Sequence, residues 1–285
     1  MTISRVAVVG AGQMGRGIAQ VFATAGKTVV IYDISQAIID ASRAALEKGF
    51  DKQISRGKMT REDADAILGR ITFSADTEYT DAVDDVDIVV EAAVERLDMK
   101  KSIFKKLDSA TKDDCILATN TSSISITEIA SAVEKKDRVI GMHFFNPPVA
   151  MKLIEVIRGG NTSDEVYETV YALAQEIGKT PVTVSEAPGF VCNRLLIPML
   201  NEAVELVQNG VASAEDIDTA MQLGCNHPMG PLTLADFIGL DTCLAIMDTI
   251  YEETHDSKYR ASLLLRKMVR AGKLGNKTGE GFFKH

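Results

Sequence analysis

The sequence predicts an α/β protein, a doubly wound and mostly parallel sheet followed by an all-helical domain. Three observations carry that prediction. Short apolar runs of strand length alternate with helical stripes up to about residue 185. A glycine cluster stands directly between the first such run and the first such stripe. After Pro188-Gly189 the strand-like runs stop and only helical periodicity remains.

Taken in order, Arg5–Val9 is apolar after its first residue and ends in glycines, as a buried strand closed by a tight turn does. The stripe Ile18, Val21 and Phe22 follows and stops near Gly26. Residues 29–32 make a second strand, closed by Asp33, so that strand, helix and strand complete a βαβ unit of Rossmann type. Ile38, Ala41, Ala45, Leu46 and Ile54 give the next helical stripe. Thr60, with Asp63 three residues on, is placed to cap a short helix over 60–68. Further strands are predicted at 71–73, 86–90, 115–118 and 138–142, with helices between most of them. Short buried strands of this kind belong to a sheet covered on both faces. Residues 153–157 alternate apolar and charged side chains, as in a strand nearer a sheet edge. Residues 163–177 are predicted helical and stopped by Gly178, and 180–184 form the last strand.

The second part begins with an amphipathic helix over 194–208, with Leu195, Met199, Ala203 and Leu206 on one side and Pro198 placed to bend it. Ser213 and Asp216 start another helix, which Gly224 closes, and two or three more fit between Pro231 and Ala271. The expected domains are 1–187 and 188–285.

The 285 residues suit one large domain or two modest ones. A content of 46% hydrophobic and 25% charged residues excludes disordered, collagen-like and coiled-coil chains. No uncharged apolar run reaches the ~18–20 residues needed to cross a bilayer. The opening apolar segment is too short for a secretory signal, so the expected location is the cytoplasm, with no membrane partner. The formal charge of −9 is uneven: residues 258–285 carry +7 and the rest −16. An acidic body argues against nucleic acid as a partner. The basic tail is open to three readings: a phosphorylated ligand, an acidic neighbouring subunit, or a solvated helix face. Cys115, Cys192, Cys225 and Cys243 make no CxxC pair, and no metal site is expected.

The motif Gly10-Ala11-Gly12-Gln13-Met14-Gly15 matches GxGxxG. It follows a strand and opens a helix, the context a dinucleotide site requires. Gly10 allows the tight turn, Gly12 the approach of a pyrophosphate, and Gly15 close packing of helix on strand. The helix start offers unpaired N–H groups to phosphate. Asp33 ends the second strand, where a carboxylate accepts hydrogen bonds from the adenosine ribose and repels a 2′-phosphate. NAD is therefore expected over NADP.

Of the four histidines, His255 and His285 read as solvent-facing, and His227 lies in a turn-rich stretch. His143 follows the apolar run 139–142, at the strand end where ligands of open α/β sheets gather. Glu155 sits in the next strand, across Pro147-Pro148. If the two strands lie side by side, its carboxylate reaches His143 Nδ1, fixing the tautomer and stabilising imidazolium. Asn120-Thr121-Ser122-Ser123 opens at the same sheet edge, and Asn193 opens the helical part. A histidine, an orienting acid and two polar donors beside a nicotinamide site are the parts needed to oxidise a secondary alcohol.

In combination and order, Gly10–Gly15, Asn120–Ser123, His143–Pro147, Met151–Glu155, Pro188–Arg194, Pro228–Pro231 and Lys277–Phe282 resemble the short-chain L-3-hydroxyacyl-CoA dehydrogenase family, closest to its bacterial 3-hydroxybutyryl-CoA dehydrogenases. The resemblance covers nearly the whole chain. It implies His143 as catalytic base, Glu155 as its partner, and Ser122 and Asn193 as substrate contacts. It implies NAD contacts at Asp33, Glu95, Lys100, Ser122, Asn146 and Lys277. It further implies 3-hydroxybutyryl-CoA or acetoacetyl-CoA as substrate, a place in fatty acid or butyrate metabolism, and a homodimer through the helical domain. Family coenzyme A contacts on the helix after Asp33 carry over poorly, and only Lys52 and Arg56 stand for them here. Two rivals differ in chemistry. A dehydrogenase of free β-hydroxyacids needs a catalytic lysine, and no lysine here has that context. A structural NAD-binding protein, as lambda-crystallin resembles this family, does not need the His143, Glu155, Ser122 and Asn193 set.

Overall fold

The computed structural model describes residues 2–79 and 83–285, so Met1 of the expected first domain lies outside them. The chain divides into two compact units, Met1–Glu186 and Ala187–His285.

The first unit runs β1 (Arg5–Val9), α1 (Gln13–Thr24), β2 (Thr28–Tyr32), α2 (Gln36–Ser55), α3 (Arg61–Leu68) and β3 (Ile71–Ser74). It continues β4 (Ile88–Glu91), α4 (Leu97–Ala110), β5 (Ile116–Thr119), α5 (Ile126–Ala130), β6 (Val139–Phe144), β7 (Leu153–Arg158), α6 (Asp164–Glu176) and β8 (Thr180–Ser185). Among the described residues the strands form one sheet in the order β3-β2-β1-β4-β5-β6-β7-β8. The first six follow the doubly wound order, with its switch point between β1 and β4. Every pairing is parallel except that of β6 with β7.

Local sequence explains both features. Val6, Val8, Ile31, Ile88, Val90 and Ile116 are β-branched and at most 2% exposed, which suits strands covered on both faces. Phe22, Phe50 and Phe144 fill the layer between the sheet and its helices. A parallel neighbour needs a crossover of about a dozen residues. Residues 145–152, held around Pro147 and Pro148, are too few, so β7 returns antiparallel. Thr60 and Asp63 form the expected capping box on α3, with Asp63 N–H donating to Thr60 Oγ1 at 3.1 Å. Such a cap contributes about 1 kcal/mol.

Two strand readings need correction. β6 does not stop at Met142 but runs through His143 to Phe144, because both residues pair with β7, His143 opposite Glu155 and Phe144 opposite Ile154. β7 lies next to the edge strand β8, yet its interior is wholly buried, Glu155 included. Its charged residue faces a partner rather than water.

The second unit holds α7 (Cys192–Gln208), α8 (Ala214–Cys225), α9 (Pro231–Ile238), α10 (Leu240–Thr254) and α11 (Leu263–Arg270) around Ile197, Leu200, Val204, Leu232, Met247 and Ile250. α7 continues through Pro198. α8 passes the expected stop at Gly224 and closes on Asn226, whose φ of 55° is the left-handed conformation that asparagine tolerates. The end of the chain adds two isolated antiparallel bridges, Gly275 with Glu280 and Glu280 with Lys284. Buried Asp236 anchors them, accepting from Phe282 N–H at 3.0 Å and Phe283 N–H at 2.9 Å. A Cβ on Gly281 would stand 2.0 Å from Asp236 Oδ1, which is why the segment carries glycine there. His285 stays exposed as a residue, but its Nε2 lies 3.0 Å from the same carboxylate.

Much of the basic tail is balanced inside this unit. Lys273 pairs with Glu280 at 2.7 Å, Lys277 with Asp241 at 2.5 Å, and Arg266 with Asp248. Among the described residues no helix is long and apolar enough to cross a membrane, and no cluster of ligand side chains could hold a metal ion. Cys115 and Cys243 are buried, and burial pushes each thiol up to about 12, so neither is a nucleophile.

Candidate active site

The glycine turn has steric reasons at two of its three positions. Gly10 has φ +105°, and a Cβ there would meet Ala92 O at 2.5 Å. A Cβ on Gly15 would lie 1.7 Å from Gly10 O, so α1 packs directly on the turn. At Gly12 a Cβ would meet nothing within 4 Å. The fold does not demand glycine there, so the bare backbone faces space that a ligand can fill. Gly12 is also the N-cap of α1, with no side-chain cap and no acid in the first turn. Asp33 Oδ2 accepts from Ala11 N–H at 2.6 Å, which ties the end of β2 to the glycine turn.

A cavity of about 600 Å³ opens beside this turn, lined by Gly10, Gly12, Gln13, Met14, Tyr32, Asp33 and Tyr79, with Ile34, Ile38, Met99 and Ile103 as apolar walls. Ile34 is 77% exposed, an apolar side chain awaiting cover. An uncovered backbone, an open helix start, a strand-end acid and an apolar-walled cavity fit the adenosine and pyrophosphate of a dinucleotide. Burial, then the charges of Glu91, Glu78, Asp33 and Asp76, push the Tyr79 phenol up to about 12.

The carboxyl ends of β4, β5 and β6 carry the rest. Glu91 ends β4 and is fully buried. It accepts from Lys100 Nζ at 2.7 and 2.9 Å, from Thr119 Oγ1 at 2.7 Å and from Ala93 N–H at 2.7 Å. Lys100, only 1% exposed, also lies 3.2 Å from Glu95 Oε2. Glu95 Oε1 accepts from Thr121 Oγ1 at 2.5 Å, Ser122 N–H at 2.9 Å and Ser122 Oγ at 3.3 Å. Desolvation pulls the Glu95 carboxyl upward, but Lys100 and the bonds from Thr121 and Ser122 outweigh it and hold it below the ordinary range.

His143 and Glu155 are register partners across the antiparallel β6 and β7. Nδ1 lies 2.7 Å from Glu155 Oε2, with the imidazole 6% and the carboxyl 0% exposed. Phe145 packs against the ring at a centroid distance of 4.5 Å, the two planes tilted by 45°. Asn120 links the ends of β5 and β6, and Asn146 Oδ1 accepts from Gln13 Nε2 at 3.0 Å, joining the β6 end to the glycine turn.

The first unit thus brings together Gly10, Gly12, Gln13, Met14, Gly15 and Asp33 on the turn, and Glu95, Lys100 and Ser122 in one hydrogen-bonded cluster. Asn193 and Lys277 belong to the second unit, one in the first turn of α7 and the other paired with Asp241. Lys52 and Arg56 lie exposed at the end of α2 and do not line the cavity. Sequence reading passed over Glu91, Thr119 and Tyr79. For Glu91 the signal was there: like Asp33, it is an acid directly following a buried apolar run at the ligand edge of the sheet.

The family model described as 3-hydroxyacyl-CoA dehydrogenase, NAD binding domain, matches residues 5–187, and that for the C-terminal domain of the same family matches 189–285. The chain is 53% identical to a 3-hydroxybutyryl-CoA dehydrogenase of Clostridioides difficile, over 98% of each chain. It is 42% identical to the human mitochondrial hydroxyacyl-coenzyme A dehydrogenase, over 99% of this chain and 91% of that one. Its fold is similar to the crystal structure of (S)-3-hydroxybutyryl-CoA dehydrogenase PaaH1 from Ralstonia eutropha, with a TM-score of 0.95, 48% identity and coverage of 100% and 99%.

Proposed function

The chain belongs to the 3-hydroxyacyl-CoA dehydrogenase family, an NAD-dependent enzyme, and from that premise we propose that it reversibly oxidises (S)-3-hydroxybutyryl-CoA to acetoacetyl-CoA with His143 and Glu155 as acid/base pair. The observation that carries this reading is the buried 2.7 Å contact between His143 Nδ1 and Glu155 Oε2 at the ligand edge of the sheet. An ionised Glu155 only accepts, so Nδ1 carries the ring proton and Nε2 presents its lone pair. Nε2 takes the proton of the substrate's C3 hydroxyl as the C3–H bond gives up its electron pair and the carbonyl forms. Bound NAD+ supplies the acceptor for that hydride. Glu155 balances the imidazolium charge, and in reverse His143 returns its proton to the C3 oxygen.

Ser122 and Asn193 hold the C3 oxygen in this reading. Cofactor contacts are assigned to Gly10, Gly12, Gln13, Met14, Gly15, Asp33, Glu95, Ser122, Asn146 and Lys277, with Lys100 acting through Glu95. Lys52 and Arg56 are assigned to coenzyme A. A homodimer through residues 188–285 and a cytoplasmic location complete the reading. The first is supported by Leu195, Leu223 and Leu263, which are 72%, 84% and 65% exposed on that unit.

The test is NADH oxidation with acetoacetyl-CoA, repeated with NADPH, longer 3-ketoacyl thioesters and the free acid. Turnover with the thioester and NADH is expected; activity on free 3-hydroxybutyrate alone overturns the assignment. Glu155→Gln keeps the shape of the pair and removes its charge. It is expected to lower kcat by about tenfold or more, less than the roughly 10²–10⁴-fold that loss of the acid–base group itself costs, with NADH affinity kept within about twofold. An unchanged rate and pH–rate profile would count against the pairing.

A further inference from the structure

We propose that Lys179 is a positioning residue for the hydride step: by holding two main-chain carbonyls of the 145–152 turn it seats that turn on α1, and so fixes where His143 and Asn146 stand beside the glycine turn. The proposal rests on the dehydrogenase reading above.

The 145–152 turn joins β6, which ends just past His143, to β7, which carries Glu155. Its own closure is tight: Pro147 O accepts from Ala150 N–H and from Met151 N–H, each at 3.0 Å. On one side the turn lies on α1. A Cβ on Gly17 would stand 2.9 Å from Pro148 Cδ, so the proline ring sits on bare helix backbone. Gln13, one turn earlier on the same helix, donates from Nε2 to Asn146 Oδ1 at 3.0 Å. Gly17 lies outside the GxGxxG pattern, and the proline contact is what its missing side chain admits.

Lys179 holds the other side. It stands half-buried between α6 and β8, and its Nζ donates to Pro148 O at 2.6 Å and to Met151 O at 2.8 Å. Thr180 N–H adds a bond to Lys152 O at 2.8 Å. Burial pulls the ammonium below the usual lysine range, and among the described residues no carboxylate pairs with it. Desolvating a charge with no acid beside it costs free energy, which the two charge-assisted bonds to carbonyl oxygens offset. The ammonium therefore serves the turn.

Position gives this clamp its consequence. Phe145 packs against the His143 ring, and Asn146, assigned above to the cofactor, reaches the helix that opens the dinucleotide site. Moving the turn shifts the base relative to the bound dinucleotide, and a misplacement of about 1 Å costs on the order of 10²-fold in rate. Lys179 itself lines no part of the cavity beside the glycine turn, so its loss should leave cofactor binding in place.

The test compares wild type, Lys179→Met and Lys179→Arg in steady-state oxidation of (S)-3-hydroxybutyryl-CoA, with hydrogen and with deuterium at C3, beside NADH titration and thermal melting. Methionine keeps much of the chain and removes the donors; arginine restores donors for both carbonyls. For Lys179→Met we expect kcat to fall about tenfold, with KM for the thioester and NADH affinity kept within about threefold. The deuterium isotope effect on kcat should rise, because hydride transfer then limits turnover. Lys179→Arg is expected to recover kcat to within about threefold of wild type. A lysine that only steadies the fold lowers Tm and leaves kcat and the isotope effect unmoved, and that result overturns the proposal. A loss that arginine does not relieve overturns it too, as does a loss of NADH affinity in step with kcat. Where Lys179→Met does not fold, Gly17→Ala presses on the Pro148 ring from α1 and is expected to give the same split between kcat and KM; an unchanged kcat there overturns the proposal. Wild-type protein that turns over no thioester with NAD+ overturns the dehydrogenase reading itself, a result distinct from an unchanged variant.

Discussion

Replacing His143 with glutamine is expected to lower kcat by about 10²–10⁴-fold while leaving NADH binding intact. Glutamine fills much of the space of the imidazole, its amide standing near the place of Nε2. What it cannot do is take a proton from an alcohol. Steady-state turnover with acetoacetyl-CoA, set beside NADH titration by fluorescence, separates catalysis from binding. Near wild-type turnover sinks the assignment of the base. Lost NADH binding together with lost turnover points to damage beyond one proton transfer.

The second large effect is a contrast between two glycines three residues apart. Gly15→Ala puts a methyl 1.7 Å from Gly10 O, where backbone must move. The expected cost is about 3 kcal/mol, the upper end for overpacking. It should lower Tm by roughly 6–12 °C in a unit of this size. Gly12→Ala meets nothing within 4 Å, so its Tm is expected to fall by no more than about 4 °C, the cost of a poorer N-cap. That poorer alanine N-cap amounts to a small loss of stability of about 0.5–1 kcal/mol. The methyl occupies the approach to the pyrophosphate instead, and NAD+ affinity should fall at least about tenfold. Thermal melting and cofactor titration of both variants check this. A Gly12→Ala protein with wild-type affinity removes the basis for placing the phosphates there.

How much was legible in the sequence follows from the range over which each feature is encoded. The strand 5–9, the glycine turn, Asp33 and the Thr60 cap are local: burial period and turn chemistry write them within a few residues. His143 and Glu155 could be nominated, since both stand in strand-like runs on either side of two prolines. Their contact was conditional on pairing, and the short 145–152 connection that forces an antiparallel return decides it. Strand ends were less legible. Whether β6 stopped at Met142 or Phe144 depended on its pairing with β7, in which Phe144 stands opposite Ile154.

The charge cluster lay further out of reach. Lys100 is named only through the family resemblance, and it is 1% exposed because α4 turns it toward Glu91 and Glu95. Glu95 meets the Ser122 loop across 27 residues of sequence.

By itself the sequence determined the βαβ alternation, the glycine turn with its acid, and the set of polar residues near the strand ends. Those depend on backbone propensity and burial period, which neighbouring residues express. Only the tertiary structure decided that Glu155 faces His143, that Gly12 borders open space while Gly15 is wedged, and that one buried lysine is shared by two acids, Glu91 and Glu95. Each of these is a distance between side chains on different elements, and strand order and helix rotation set such distances, not the residues beside them in the chain.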